Sequence, residues 1–255
     1  MRNYYYLAIS LPDLELINKP LIRFEELVDQ FETNLEKNDL KAVNCIRLYF
    51  DIVNLEKILL DEPLDHRGNL DFLGISEALK YQVHFPSFVF EFFDKYKTKE
   101  EQLPQFPGLY AKYFEDYFEK TSVISEFIIF EHELRLFLLG YRSIRFQRNL
   151  QEEFKYEELN AGNVELIISQ KAETKVLDEQ KLQNLIEKLK PSKDPLEIRS
   201  LVASFRFEYY KEQQDLNPFT IKGLIAYMMQ LLILEDLEVK QPHLGLEIFN
   251  ELLEE

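Results

Sequence analysis

The chain has 255 residues, is 46% hydrophobic and carries a net charge of −16 with a pI near 4.8, enough for one large core or two modest ones without covalent staples. That acidity removes the counterion release that drives nonspecific nucleic-acid binding and the attraction to anionic lipid, so both classes are disfavoured. The single cysteine, Cys45, rules out an internal disulfide framework and a cysteine-built zinc site, and fits a reducing cytoplasm.

No signal-peptide pattern opens the sequence, since MRNYYYLAIS meets Pro12 at once. The longest apolar run, Leu224 to Leu234, is interrupted by Gln230 and falls short of the roughly 20 residues a membrane span needs. A soluble, cytoplasmic protein is the expectation. Seven glycines, no tryptophan, 21 phenylalanines and 14 tyrosines point to a helix-rich body with an aromatic core.

In chain order, Asn3 to Ile9 alternates weakly through Tyr4 and Tyr6 and suits a minor strand or a short helix before the turn signal Ser10-Leu11-Pro12. Pro20 stands where a first helical residue belongs, and Leu21, Phe24, Leu27, Phe31 and Leu35 follow at helical spacing as far as Asn38-Asp39. A second helix is expected over 40–60 with Val43, Ile46, Phe50, Val53 and Ile58 on one side, completing a hairpin. A region over 75–97 is kinked or divided by Pro86, and Leu103 to Gly108, LPQFPG, reads as a break.

The centre of the chain is Ser125 to Arg148, one helix with Phe127, Phe130, Leu134, Phe137, Leu138, Tyr141 and Ile144 on its apolar side. Arg135, Arg142, Arg145 and Arg148 form a basic stripe on the other side, and Glu131 lies one turn before Arg135, where it can pair with it. The stripe reads either as a partner-binding surface or as a solvated or internally paired face. Asn160 to Asn163 is a soft spot, and 164–190, rich in lysine and glutamate with Leu177, Leu182, Leu185, Ile186 and Leu189 at helical spacing, looks peripheral and mobile. Helices over 196–210 and from the N-cap Thr220 through Leu234 follow; the second is apolar around its circumference and should be buried. A short final helix carries Leu244, Leu246, Ile248, Phe249 and Leu252.

Chemistry is sparse. His66, His84, His132 and His243 have no local nucleophile, and the glycine-rich phosphate cradles are missing from the sequence. His132 reads as structural because Leu136 stands where a second zinc histidine would be. Asp61 to Asp71, DEPLDHRGNLD, has the density of a metal loop but places Pro63 and His66 where a calcium loop needs a ligand and a glycine, so a polar connector is expected. Neighbouring acids such as Glu157-Glu158 arise by chance among 46 acids.

Three stretches, NYYYLAISLPDL, FEHELRLFLLGYRSIRF and the C-terminal FRFEYYKEQQDLNPFTIKGLIAYMMQLLILEDLEVKQPHLGLEIFNELL, together resemble a bacterial family encoded with V-type ATP synthase subunits. Phe219, Thr220, Ile221, Ala226, Tyr227, Gly245 and Phe249 match that family's C-terminal pattern. The resemblance implies the role of the central-stalk protein of V/A-type ATPases that forms a helical funnel and joins the membrane rotor ring to the central shaft.

The expectation is therefore an all-α, elongated or funnel-like multi-helix bundle, a single helical domain over 1–255 with a subdivision into 1–105 and 106–255. On the resemblance it is a non-catalytic central-stalk (rotor) component of a proton- or sodium-translocating V-type ATPase, without cofactor or metal, at the membrane only through the rotor ring. Its partners are the ring and shaft subunits, reached through Arg135, Arg142, Arg145 and Arg148, with no nucleic acid and no homo-oligomer. A helical adaptor for an unrelated protein, or a metal-dependent helical enzyme using the Asp61–Asp71 loop, are the alternatives.

Overall fold

A computed structural model describes residues 3–118, 124–157, 177 and 179–239. Every regular element among these residues is helical: α1 (Tyr5–Ser10), α2 (Phe24–Asn34), α3 (Lys37–Leu60), α4 (Phe72–Tyr81), α5 (Ser87–Lys95), α6 (Lys99–Gln102), the 3-10 turn η1 (Leu103–Gln105), α7 (Phe106–Phe118), α8 (Ser125–Arg145), α9 (Leu150–Glu153), α10 (Glu179–Leu189), α11 (Pro195–Leu216) and α12 (Ile221–Val239). The all-α class is as expected. The minor strand is not formed: Tyr6 is 84% exposed and only Leu7 of α1 is buried, the one-sided pattern of a short helix rather than the two-residue alternation of a strand. The soft spot at 160–163 and the final helix after Pro242 lie outside the described residues.

The chain divides into two units, Met1–Leu40 with Asn184–Glu255, and Lys41–Gln183. Residue 105 lies inside the second unit, and the two ends of the chain share the first.

In the first unit the apolar helix α12 is the centre. Thirteen consecutive residues, Gly223 through Glu235, are buried, so neighbours cover every side of the helix, as its all-round apolar sequence requires. Thr220 caps it, its hydroxyl accepting from the Gly223 N–H at 3.4 Å. Helix α11, capped by Asp194 with Pro195 in its first turn, packs along α12 and buries Ala203, Phe207 and Tyr210, three positions on one helical stripe. Gln230, the polar interruption of the apolar run, is buried and satisfied by Gln214 Oε1 (2.7 Å) and the Ala226 carbonyl (3.2 Å).

Helix α2 also packs on α12, burying Phe24, Leu27, Val28 and Phe31, each worth about 1.5–3 kcal/mol before entropy. It begins at Phe24 rather than at Pro20, and Leu21 is exposed. The cause is tertiary: Glu235 of α12 accepts the Phe24 N–H at 2.9 Å, and Glu238 pairs with Arg23 at 2.6 Å, so acids from another helix supply the cap that the local sequence lacks. On α10, Leu182, Leu185, Ile186 and Leu189 are buried, so this part of the stretch expected to be peripheral contributes to the cores.

The second unit is built on aromatic packing. Tyr49 of α3 meets Tyr110, Tyr113 and Phe114 of α7 with ring centroids 5.7–6.1 Å apart, and Phe92 of α5 meets Phe106 edge-on at 5.4 Å. The phenol groups are satisfied: Tyr113 donates to the Cys45 carbonyl (3.0 Å) and Tyr110 to Glu56 (2.6 Å). Pro86 divides α4 from α5, serving as the N-cap residue of α5. Leu103 to Gly108 is not a break, because Thr98 and Glu101 form a capping box and the backbone stays right-handed helical through Phe106. Pro104 and Pro107 both stand in first turns, where a missing N–H costs no helical bond.

Candidate functional site

Helix α8 carries the arginines singled out by the sequence, and the structure separates them into two sets. Its inner side is Phe127, Ile128, Phe130, Leu134, Leu136 and Phe137, continued by Gly140 and Ser143. Because these two small residues take the inward positions near the end, Ile144 does not join the core and is 51% exposed. The Ser143 hydroxyl is satisfied within the helix by the Leu139 carbonyl at 2.7 Å.

The helix closes in a left-handed turn at Gln147, φ 53°, where the Arg148 N–H donates to the Ser143 carbonyl (2.8 Å) and the Gln147 N–H to the Ile144 carbonyl (3.2 Å). That turn presents Phe146, 61% exposed, beside Arg148, whose guanidinium lies 5.8 Å from the Phe146 ring. One turn back, Arg145 donates to the Tyr141 hydroxyl at 3.2 Å and lies 5.9 Å from that ring. Arg142 is exposed. Arg148 also reaches Glu153 at 3.4 Å, a solvated pair of little stability. Arg142 and Arg145 sit in the last turn of α8, where cations offset the helix dipole by about 0.3–1 kcal/mol each.

Arg135 belongs elsewhere. Its guanidinium donates to Glu157, a side chain only 5% exposed, and Glu157 Oε2 also lies 3.1 Å from His132 Nε2. Phe114 underlies both side chains, stacked with His132 at 5.1 Å and beneath Arg135 at 5.3 Å. The segment bearing Glu157 is fixed further by Tyr156, whose hydroxyl reaches the Pro104 carbonyl (2.9 Å) and Gln105 Oε1 (2.8 Å). The Tyr156 ring lies on Gly108, where a Cβ would sit 3.0 Å from it. Burial pushes the Glu157 carboxyl up, but the His132 hydrogen bond and the Arg135 charge outweigh it and hold the group below its ordinary 4.5. Arg135, expected on the binding face, is therefore a structural ion-pair residue, and His132 has the structural place its sequence context suggested. Glu157, by sequence one of many chance acids, is the partner that a local reading of the helix could not supply.

The Asp61–Asp71 loop is pinned to α3. Asp51, fully buried, accepts from the Asn69 N–H (2.7 Å), the Asn69 side-chain amide (2.7 Å) and the Leu70 N–H (3.0 Å). Burial dominates here and raises the Asp51 carboxyl above its ordinary 3.8 despite these donors. Asn54 makes a reciprocal pair with the Asp65 backbone at 2.7 and 2.8 Å, and Arg47 donates to the Arg67 and Gly68 carbonyls. The loop acids are engaged as well: Asp65 with Arg67, Asp61 with Lys99, and Asp71 as the N-cap of α4. Among the described residues no group of three or more His, Cys, Asp or Glu is placed to hold a metal ion. None of the described helices is long and apolar enough to cross a membrane.

Of the three stretches carrying the family resemblance, the central one belongs to α8 and its cap in the second unit, while the start of the chain and the described part of the C-terminal stretch meet in the first. The Tyr4 N–H donates to the Phe219 carbonyl (2.6 Å), Tyr5 packs on Phe219 with centroids 4.9 Å apart, and the Tyr227 hydroxyl donates to the Pro12 carbonyl at 2.8 Å. Ile221 and Ala226 are buried and Thr220 caps α12, so these five motif positions serve the joint between the start of the chain and α12. Gly245 and Phe249 lie outside the described residues.

The family described as "Protein of unknown function (DUF2764)" matches the chain over residues 1–255. An uncharacterised protein of Chlamydia muridarum is 25% identical over 181 residues, covering 67% of each chain, and one of Chlamydia trachomatis serovar D is 23% identical over 178 residues, with the same coverage. No solved structure matches.

Proposed function

From the premise that the chain belongs to the DUF2764 family, we propose that it is a non-catalytic binding protein, and that its assembly is a V-type ATPase, where it couples the membrane rotor ring to the central shaft. The observation that carries a binding role is the end of α8: Arg142, Arg145 and Arg148 stand with exposed Ile144 and Phe146, in a chain of net charge −16. Arginine and aromatic side chains are the residue types that dominate protein interfaces, and guanidinium groups pair with carboxylates in two-pronged geometry. The choice of partner rests on the resemblance of the three stretches named above to the family encoded with V-type ATP synthase subunits.

The mechanical demand of such a role is a body that does not deform when torque is applied. The aromatic interior around Tyr49 and the wholly buried stretch of α12 are suited to it, because close-packed cores transmit strain rather than absorb it. Affinity purification of the tagged chain from its native cells in mild detergent, with mass spectrometry of what is retained, tests the assignment. Recovery of ATPase head, shaft and ring subunits together is expected; recovery of none of them from lysate in which the ATPase is intact refutes the stalk assignment and leaves an adaptor for a different protein.

A further inference from the structure

From Leu134 to Gln151 the sequence contains no acid, although 46 of its 255 residues are Asp or Glu, and this interval carries all four arginines of the central stripe. The fold sets one of them against a nearly buried acid, Arg135 with Glu157. The remaining three gather at the end of α8 around two apolar side chains that the core does not take, Ile144 and Phe146. Their placement has local causes. Gly140 and Ser143 occupy the inward positions, which leaves Ile144 outside, and the left-handed turn at Gln147 reverses the chain so that Phe146 and Arg148 stand on the cap. A left-handed conformation at a non-glycine residue is strained, and such strain concentrates at functional positions.

We infer that this end of α8 is a docking surface for an acidic segment of another protein, one that presents carboxylates to Arg142 and Arg148 and an apolar side chain to Ile144 and Phe146. Charge complementarity selects that occupant. An arginine-bearing patch on a strongly acidic chain, in which Arg148 makes a long, solvated contact with Glu153 at 3.4 Å, attracts carboxylates while the rest of the surface repels them, which fixes where an acidic partner settles. The ring contacts made by Arg145 and Arg148 hold their guanidinium groups beside apolar surface, so an incoming carboxylate is bound where water is partly displaced. A bare anionic bilayer fits less well, since its attraction sums over clusters of cations, whereas three arginines here share the patch with two apolar anchors. The inference rests on the non-catalytic binding role proposed above, but not on the partner being the ATPase.

The test is photocrosslinking in the native cells with the full chain, Phe146 being replaced by p-benzoylphenylalanine, and with the same replacement at the exposed Ile17 as control. The crosslinked peptide is identified by mass spectrometry. The expected product joins position 146 to a segment of another protein rich in Asp and Glu. Arg142→Gln with Arg148→Gln, added to the crosslinking chain, lowers its yield about tenfold while circular dichroism and thermal unfolding stay unchanged. Ile144→Ser, read the same way, lowers it severalfold. A crosslinked acidic segment outside the ATPase keeps the docking surface and removes the stalk assignment. A crosslink at 146 no stronger than at 17, a product with lipid or with a second copy of this chain, a segment lacking acids, or a yield indifferent to the arginine changes overturns the docking surface, even where purification recovers the ATPase.

Discussion

Replacing Glu157 by Gln tests the division of the arginine stripe directly. Glu157 is nearly buried and neutralises Arg135, whose Nε is itself buried with no hydrogen-bond partner among the described residues. Removing one partner of a buried pair costs about 3–5 kcal/mol, but the Arg135 side chain is 31% exposed and water can solvate it in part. We therefore expect about 2–3 kcal/mol of lost stability near pH 7, read from urea unfolding followed by circular dichroism.

The pH dependence gives a second, independent reading. The folded Glu157 carboxyl titrates below its ordinary 4.5, so folding favours the ionised form. Its contribution is fully present above about 4.5 and is lost as the pH falls through the lower, folded value. The gap between wild type and Glu157→Gln should therefore hold from about pH 7 down to about pH 5 and narrow at more acid pH. A loss below about 0.5 kcal/mol, or a gap that does not change on acidification, would refute the placement of Arg135 in a buried ion pair and return it to the binding face. Arg142→Gln, in the same assay, should stay within about 0.5–1 kcal/mol of wild type.

Gly68→Ala would place a Cβ 2.5 Å from Asp51 Oδ1 and 3.0 Å from Asn54 Nδ2, displacing the carboxylate that holds Asn69 and Leu70; a loss of about 2–4 kcal/mol is expected. In Asp51→Ala the nearer of the two obstructions is gone and only the 3.0 Å approach to Asn54 remains, so the two changes should couple by at least about 1 kcal/mol in a double-mutant cycle, and simple additivity would contradict the contact. Gln147→Gly relieves the left-handed turn at the end of α8 and should raise stability by about 0.5–1 kcal/mol in urea unfolding; a loss would mean that the Gln147 side chain itself supports the turn.

Much of the helical framework was legible because it follows from short-range periodicity. The apolar circumference of 221–234 already requires burial, and Thr220 already offers its hydroxyl as a cap; neither depends on what the helix packs against. Pro86 divides two helices because proline disfavours helical backbone at the residue before it. The same rules misread Pro20 and Leu103–Gly108, where the deciding partners are a carboxylate from Glu235 and a capping box at Thr98. At the candidate site, periodicity found the arginines of α8 but placed Ile144 on the wrong side, since inward and outward depend on what the neighbouring helices accept.

The sequence by itself determined an all-helical chain, its acidity, the concentration of arginines in one acid-free interval and the buried character of α12, because each is a property of composition or of spacing along one helix. Tertiary structure alone decided that Glu157 takes Arg135 from that set, that Asp51 pins the Asp61–Asp71 loop, and that Phe146 and Ile144 remain outside beside the other three arginines. These outcomes depend on residues far apart along the chain meeting in a common low-dielectric interior, where pairing and desolvation are decided by geometry that no local pattern encodes.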